Sequence, residues 1–153
     1  MTEERLARLE QRLQRLEDEL AITRLIASYG PLVDAGESEA VAGLWTEDGS
    51  YDVEGWQMTN QADIRAMVES DAHQGLIGGG CSHFLGPAHV VVHGDEAIAV
   101  CESLLVRHRD GGYSVRRAGA NRFELRREPD GWRIAHRTTR ALDGSAEARG
   151  LLA

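Results

Sequence analysis

Two ionisable side chains, Asp34 and His83, lie within short apolar stretches of the sequence. Asp34 follows Leu32 and Val33 near the end of a long helical pattern, and His83 opens a strand pattern after a glycine-rich segment. Because a buried carboxylate is costly unless it is paired, a histidine is a natural partner for Asp34. Such a carboxylate holds the imidazole in one tautomer and raises its basicity. If the two side chains meet in a pocket, they can act as a general base.

Both residues also have a purely structural interpretation. Asp34 precedes Ala35 and Gly36, so it is also a candidate for the end of a helix. His83 is a strand histidine after a glycine-rich loop, and such residues often serve packing alone. The catalytic hypothesis therefore depends on the two side chains meeting at a cavity.

The composition limits the classes of function. The chain has 153 residues, of which 42% are hydrophobic and 27% charged, as expected for one globular domain with a core. A formal net charge of -8 disfavours binding to nucleic acid or to an anionic membrane surface. No apolar run approaches about 20 residues, and the charged N-terminus lacks a signal-peptide core, so we expect a cytoplasmic protein. Cys81 and Cys101 are too few for a disulfide framework and indicate buried free thiols.

No motif for a metal or cofactor is present in the sequence. His89 and His93 are four residues apart, but on a strand pattern rather than on a helix. The glycines at 78–80 lack the Gly-Lys-Ser/Thr ending of a phosphate-binding loop. The sequence therefore predicts neither a metal nor an organic cofactor.

The N-terminus has the pattern of a long helix over residues 2–29, which Pro31 is expected to kink or restart. Leucines recur at a spacing of three and four residues, the seam of a coiled coil: Leu6, Leu9, Leu13, Leu16 and Leu20. The seam lasts only about two and a half heptads, which is short for an independent coiled coil. We therefore expect it to pack against another subunit or across the mouth of the domain.

The remaining patterns predict an α+β fold. Helices come first and long strands joined by hairpin turns follow, which suggests a curved, mainly antiparallel sheet wrapped over the helices. We expect an N-terminal extension at 1–20, one domain at 21–142 and a mobile tail at 143–153. The predicted helices are residues 38–45 and 60–71, and the predicted strands are 50–54, 81–92, 97–109, 113–127 and 132–139.

The combination of Tyr29, Asp34, Trp45, the segment Cys81-Ser82-His83-Phe84 and the segment Asp130-Gly131-Trp132-Arg133-Ile134 resembles the SnoaL-like branch of the nuclear transport factor 2-like superfamily. The resemblance covers nearly the whole chain and implies a cone-shaped α+β barrel. The Asp and His positions look like those of scytalone dehydratase, hexachlorocyclohexane dehydrochlorinase and bile acid 7α-dehydratase. In those enzymes an Asp on a helix orients a His on a strand, and the His acts as the base.

The same resemblance implies further pocket residues. His108 and Asn121 fall at the spacing of a second histidine and an asparagine in scytalone dehydratase. Arg137 matches a late arginine of the dehydrochlorinase, and Tyr29 matches a tyrosine of the bile acid enzyme. On the residues alone, His108 is equally compatible with a solvated strand end. His136 and Arg137 point to opposite faces of a strand, so only one of them faces a pocket, and we favour Arg137.

Two positions depart from the scytalone dehydratase pattern. Val33 stands where that enzyme has a tyrosine, and Gly119 stands where it has a serine. These groups help that enzyme to bind its substrate, so a different substrate is expected here. Four aromatic residues are expected to be core and pocket wall at once: Tyr29, Trp45, Tyr51 and Phe84.

These observations predict a cofactor-independent, dehydratase-like lyase that acts on a small cyclic or polycyclic hydrophobic substrate. One alternative is an isomerase or cyclase of the ketosteroid isomerase or polyketide cyclase type, in which the same base returns the proton elsewhere. Another is a small-molecule-binding module without catalysis. A homo-oligomer is expected, with a trimer favoured by the resemblance and a dimer as the alternative.

Overall fold

A computed structural model describes residues 2–153 as five helices and seven strands. The helices are α1 (Thr2–Asp34), α2 (Ser38–Ala42), α3 (Gln61–Glu69), α4 (Asp71–Gly79) and α5 (Ala146–Gly150). The strands are β1 (Trp45–Val53), β2 (Trp56–Met58), β3 (Cys81–Leu85), β4 (His89–His93), β5 (Glu96–Arg109), β6 (Gly112–Glu128) and β7 (Gly131–Ala141). The fold belongs to the α+β class, as the sequence predicts.

All seven strands belong to one sheet. Its order is β2-β1-β7-β6-β5-β3, and β4 also pairs with β5, alongside β3. The neighbours are antiparallel except for β1 and β7, which run parallel. The sheet is mixed, mainly antiparallel, curved and unclosed, and with the helices it gives the α+β fold that the resemblance implies. The parallel pair follows from the helical crossovers that separate β1 from the later strands, because parallel neighbours need a long connection.

The core lies between α1 and the concave face of this sheet. The buried residues of α1 are spaced four and three apart, so they form one face of the helix: Ile22, Ile26, Tyr29 and Val33. They pack with Trp45 and Ile134 from the sheet, which are both completely buried. This packing fixes the second half of α1 over the sheet.

Helix α1 continues through Pro31 to Asp34, so the helix does not restart at the proline. Proline removes only one intrahelical hydrogen bond, and Pro31 lies within one turn of the helix end. The last turn is also held by the backbone hydrogen bond from the Ala35 N–H to the Pro31 carbonyl and by the complete burial of Val33. Asp34 is consequently the last residue of α1.

Several other boundaries differ from the sequence-based expectations. The single strand expected at 81–92 is split into β3 and β4 around Pro87, which cannot donate to a strand ladder. The helix expected at 60–71 is split at Ser70, whose extended backbone ends α3 and whose side chain caps α4. The glycines expected to form a loop lie largely within α4, and only Gly80, with a φ of 94°, ends that helix. The helix expected at 38–45 ends at Ala42, and β1 already begins at Trp45.

Asp18 clamps α1 to the β6–β7 hairpin. Its carboxylate accepts two hydrogen bonds from the Arg127 guanidinium, at 2.7 and 2.9 Å, and one from the Trp132 indole at 3.0 Å. The Gln14 side chain donates a further bond to it at 3.1 Å. Arg127 lowers the pKa of Asp18 to about 2. The clamp marks the point at which α1 meets the domain.

Before this clamp, α1 projects from the domain. Residues 2–17 are all exposed, and the five leucines of the predicted seam are 49–62% exposed. We call residues 2–17 together with Leu20 the helical arm. The tail, expected to be mobile, instead forms α5, which Glu147 ties to Arg140 and in which Ala148 is fully buried. No helix within residues 2–153 is long and apolar enough to cross a membrane.

Candidate active site

Asp34 and His83 meet at the end of α1. An Asp34 carboxylate oxygen lies 2.6 Å from the His83 Nδ1 atom, and the other oxygen accepts the His83 backbone N–H at 2.8 Å. Because a carboxylate only accepts hydrogen bonds, Nδ1 carries the proton and Nε2 of the neutral ring is left with a free lone pair. Both side chains are about one-fifth exposed. The arrangement therefore provides a neutral imidazole, held by a carboxylate and partly accessible.

The environment of His83 shifts its pKa in opposing directions. Burial lowers the pKa below its ordinary value of 6.5, and the hydrogen bond and charge of Asp34 raise it, with a net lowering. His73 and Arg137 add small lowering contributions. The imidazole is thus kept in its neutral form at neutral pH, the form in which a histidine accepts a proton.

The close approach of α1 and β3 brings the two residues together. Gly30 faces the backbone of β3, and a Cβ atom built on it would lie only 2.2 Å from the His83 carbonyl oxygen. At the helix end, His73 from α4 donates its Nε2–H to the Val33 carbonyl at 2.8 Å, which satisfies a terminal carbonyl of α1. The His73 and His83 rings are 5.8 Å apart. A small residue and a buried histidine thus set the position of Asp34.

His83 borders a small cavity of about 140 Å³ between α1, the α3 region and the sheet. This volume is comparable to that of an engineered cavity that holds benzene. The wall is mostly aliphatic and aromatic, with Tyr29 and Tyr51 on one side, and Trp56 is half exposed beside it. The further residues of the wall are Val53, Met58, Met67, Leu85, Ser103, Leu104, Leu105, Arg117, Arg137 and Thr139.

Arg137 forms a polar part of this wall. It is 2% exposed, and its guanidinium carbon lies 4.2 Å from the centre of the Tyr29 ring, 4.6 Å from Tyr51 and 4.9 Å from Phe123. One of its nitrogens, Nη2, donates to the Asn121 side-chain oxygen at 2.8 Å. The other two, Nε and Nη1, are buried without a hydrogen-bond partner.

Asn121 organises this region without lining the cavity itself. It is completely buried, its oxygen accepts from both Arg137 and Thr139, and its amide donates to the Cys101 carbonyl and to Ser103 Oγ. Since Ser103 Oγ accepts from Asn121, its own hydroxyl proton is free to point to another acceptor. Asn121 therefore orients an arginine and two hydroxyls of the wall.

Ser103 provides the hydroxyl that is missing at position 119. The two residues are direct neighbours on β5 and β6, and a Cβ atom on Gly119 would lie 2.9 Å from Ser103 Oγ. The side chain of Ser103 thus fills the space that the glycine leaves. Ser103 is not among the residues expected from the sequence, although the alternation of β5 around Cys101 places it on the inward face of the strand.

The expected pocket residues fall into three groups: those that line the cavity, those that lie behind it, and those that lie outside it. Tyr29, Tyr51, His83 and Arg137 line the cavity. Trp45 and Asn121 lie behind it: Trp45 stacks on Tyr51, with ring centres 5.5 Å apart, and meets Tyr29 edge to face at 6.0 Å. His136 is turned to the other face of β7, where its Nδ1 atom lies 2.6 Å from the Ser50 hydroxyl.

Phe84 and His108 lie outside the cavity, which corrects the expectation for both. Phe84 is 58% exposed, because neighbouring strand residues point to opposite faces and His83 takes the inward one. His108 is exposed near the β5–β6 turn and packs on Tyr113, with ring centres 5.1 Å apart. Along β5, His108 has the opposite parity to the inward-facing Cys101 and Ser103, so alternation turns it to the other face.

One group of side chains has donor atoms close enough to hold a metal ion. Ligand atoms of Asp34, Cys81 and His83 lie within 4.8 Å of one another. However, Cys81 already donates its thiol to Asp34 at 3.5 Å, and burial, reinforced by Asp34, raises the pKa of Cys81 to about 11. A metal-binding cysteine must be deprotonated. The three residues therefore fit a hydrogen-bonded cluster better than a metal site.

Comparison with known proteins now identifies the family. The SnoaL-like domain profile matches residues 14–138. The chain belongs to the SnoaL-like family. No curated protein is significantly similar to it. The match begins within α1 and ends within β7 at Thr138, so it includes Asp34, His83 and every residue of the cavity wall except Thr139.

Solved structures show the same fold. An NTF2-like protein with a cystatin-like fold from Novosphingobium aromaticivorans is 47% identical, with a TM-score of 0.95 and 97% of both chains covered. A Mycobacterium tuberculosis protein of unknown function is 26% identical, with a TM-score of 0.75 over 87% of this chain and 75% of that one. A hexachlorocyclohexane dehydrochlorinase from Novosphingobium barchaimii is 19% identical, with a TM-score of 0.73 over 85% and 90%. This last likeness shows a shared fold.

Proposed function

We propose that this SnoaL-like protein is a cofactor-independent lyase of the dehydratase type that acts on a small cyclic substrate. The observation that carries the proposal is the 2.6 Å contact between Asp34 and His83 Nδ1 at the wall of an apolar cavity. A neutral imidazole with a free Nε2 lone pair is a general base, and the carboxylate stabilises the imidazolium that forms. The dehydrochlorinase among the structural neighbours is itself named for an elimination reaction.

In the proposed reaction, His83 Nε2 removes a proton from a ring carbon beside a carbonyl group. The electron pair moves to the carbonyl oxygen and gives an enolate, which a guanidinium N–H of Arg137 stabilises. The enolate then collapses to a ring double bond and expels the hydroxide from the neighbouring carbon. The imidazolium gives the hydroxide its proton directly, or the Tyr29 phenol, which burial keeps protonated by raising its pKa, does so and regains a proton from the imidazolium. The products are water and an unsaturated ketone.

The test is a panel of cyclic β-hydroxyketones and cyclic ketones incubated with the protein in D2O and followed by NMR and mass spectrometry. The expected result is deuterium at the carbon beside the carbonyl, together with loss of water from the hydroxyketones. An isomerase would instead shift a double bond without losing a group, and a binding module would bind without exchange. Either outcome would contradict the lyase proposal.

Variants of the dyad make this test specific. His83→Ala is expected to lower kcat/KM by about 10²–10⁴-fold, the usual contribution of a positioned base. Asp34→Asn, which keeps the shape but not the charge, is expected to lower kcat steeply and leave KM nearly unchanged. Ser50→Ala, which removes the hydroxyl partner of the outward-facing His136, is the control and should retain full activity. Full activity in either dyad variant would refute the base mechanism.

A further inference from the structure

We infer that the substrate carries a negatively charged oxygen, a carboxylate or an ionised enol or phenol, which Arg137 binds. This inference deepens the proposed function and rests on it only in taking the same cavity as the substrate site. Its starting point is a buried cation without a counter-ion. No acidic side chain within residues 2–153 forms an ion pair with Arg137, and its one hydrogen bond goes to the neutral amide of Asn121.

A buried guanidinium of this kind is costly for the folded protein. Removing a charge from water is repaid only when an opposite charge and good hydrogen bonds replace the water. Cation–π contacts with three aromatic rings offset part of the free energy of desolvation of the guanidinium. They do not satisfy Nε and Nη1, which remain two unused donors of a side chain that lines the cavity. A ligand oxyanion supplies both the missing charge and the missing acceptors.

The rest of the cavity wall supplies no carboxylate for Arg137. The described residues of the wall include no Asp or Glu. The second arginine of the wall, Arg117, is paired with Glu54 at 2.6 Å, and Asp34 is engaged by His83. Arg137 is therefore the arginine of the wall that has no carboxylate partner among the described residues. Ser103 adds a hydroxyl donor that Asn121 orients.

Single-ring ligands in matched charged and neutral pairs test the inference by calorimetry. Benzoate is compared with benzamide, and 4-nitrophenolate with 4-nitroaniline, at a pH at which the acids are ionised. We expect each anion to bind at least tenfold more tightly than its neutral partner, and the two pairs distinguish a carboxylate from a phenolate. Equal binding within both pairs, or no binding by either anion, would overturn the inference.

Two variants separate this inference from the proposed function. Arg137→Met should abolish the preference for anions while raising the melting temperature, because an apolar side chain replaces an unpaired buried charge. A lower melting temperature with an unchanged anion preference would contradict the inference. His83→Ala should keep the anion preference. If it does so while the dyad variants turn over substrate like the wild type, the lyase mechanism fails and the anion site stands.

A second inference comes from the helical arm, which is independent of the cavity. We propose that the arm binds the arm of a second copy of this chain as a parallel, in-register coiled coil. The leucines Leu6, Leu9, Leu13, Leu16 and Leu20 form one stripe, and each is about half exposed. A stripe of apolar residues with three-four spacing is the surface that a like helix buries in a coiled coil.

The charges beside the stripe set the direction of pairing. With Leu6 and Leu13 at position a of the heptad, Arg5 and Arg12 occupy position g, while Glu10 and Glu17 occupy position e. In a parallel in-register pair, position g faces position e of the next heptad on the partner, so each arginine meets a glutamate. An antiparallel pair places the glutamates of one helix against those of the other. Charge complementarity therefore favours the parallel pair.

Disulfide trapping tests the direction. In a parallel pair residue 13 faces its own copy, so Leu13→Cys should cross-link under mild oxidation. Arg8→Cys, on the outer side of the arm, and the wild type with its buried Cys101 and half-buried Cys81 should not. Efficient linking only in a mixture of Leu13→Cys and Leu9→Cys proteins would show an antiparallel pair and overturn the proposal.

Charge reversal tests the partner. The double variants Arg5→Glu with Arg12→Glu, and Glu10→Arg with Glu17→Arg, should each associate at least tenfold more weakly by sedimentation equilibrium. Mixing them should restore association, since each arginine again meets a glutamate. A wild type that sediments as a monomer, or an assembly unaffected by either double variant, would contradict the proposal.

Discussion

Burial and the Asp34 carboxylate act in opposite directions on the His83 imidazole, and burial prevails. The base is active when neutral, so activity should fall as the pH drops through a pKa that lies below 6.5. Asp34→Asn removes the contribution that raises this pKa. We expect the acidic limb of kcat/KM to lie below pH 6.5 in the wild type and to move lower still in Asp34→Asn. A limb above pH 6.5 would show that the carboxylate, rather than burial, dominates.

At the scale of residues, the sequence identified the dyad because Asp34 and His83 are chemically unusual within apolar surroundings. It could not identify Ser103 or His73, because a serine in a strand or a histidine in a helix has no such contrast. The expectation that Phe84 lines the pocket rests on its aromatic type and is wrong, because alternation turns Phe84 outward when His83 faces inward. The expectation for His108 rests on the spacing of the resemblance, whereas the alternation along β5 turns its side chain away from the inward face of Cys101 and Ser103.

At the scale of elements, the contact between α1 and β3 controls the dyad. Gly30→Ala places a Cβ atom against the His83 carbonyl oxygen, so the helix must move away from the strand. We expect a loss of about 1–3 kcal/mol in the free energy of unfolding, as for other overpacked sites, and a loss of activity as Asp34 separates from His83. Thermal melts and steady-state kinetics measure both effects.

Gly75→Ala in α4 is the matched control for this prediction. No side-chain or distant backbone atom lies within 4 Å of a Cβ built there. Alanine favours a helix over glycine by about 1 kcal/mol, so the control should be neutral or stabilising. Equal behaviour of the two variants would mean that α1 and β3 are not in tight contact.

The Asp18 clamp determines how firmly α1 is fixed to the sheet. Asp18→Asn leaves Arg127 without its buried counter-charge, and we expect a loss of about 2 kcal/mol at neutral pH by urea unfolding. The folded state lowers the pKa of Asp18 from 3.8 to about 2, so its contribution is complete above pH 3.8 and disappears as the pH falls towards 2. The difference between wild type and variant should therefore shrink over that interval. A constant difference would assign the effect to packing.

Among the elements, the sequence predicted the long strands and their turns, because period-two patterns and glycine-containing turns are local signals. The parallel pairing of β1 with β7 is not local, since it joins residues more than 80 positions apart. The passage of α1 through Pro31 depends on the tertiary contacts of its last turn. The parallel pair and the continuation of α1 past Pro31 thus share one cause, because contacts between residues far apart in the sequence decide both.

At the scale of the whole molecule, the arm predicts a dependence on protein concentration. If arms pair between copies, the melting temperature of the full chain should rise with concentration, because association stabilises only the folded, assembled state. A chain that begins at residue 17, which keeps the Asp18 carboxylate and its bonds to the hairpin, should melt at one temperature at all concentrations. Differential scanning calorimetry over a hundredfold range provides the measurement. A full-chain melting temperature that does not move would contradict the expectation.

The fit between Ser103 and Gly119 has a consequence for how such a cavity evolves. A Cβ at 119 would lie 2.9 Å from Ser103 Oγ, so a side chain at 119 requires the Ser103 hydroxyl to move or to be lost. A descendant that acquires serine at 119 and loses the side chain at 103 would keep a hydroxyl in this region while moving it from β5 to β6. Across relatives, the residues at positions 103 and 119 should therefore change together. The strand that carries the serine, β5 or β6, should differ between groups of relatives, while a hydroxyl is kept in the wall of the cavity.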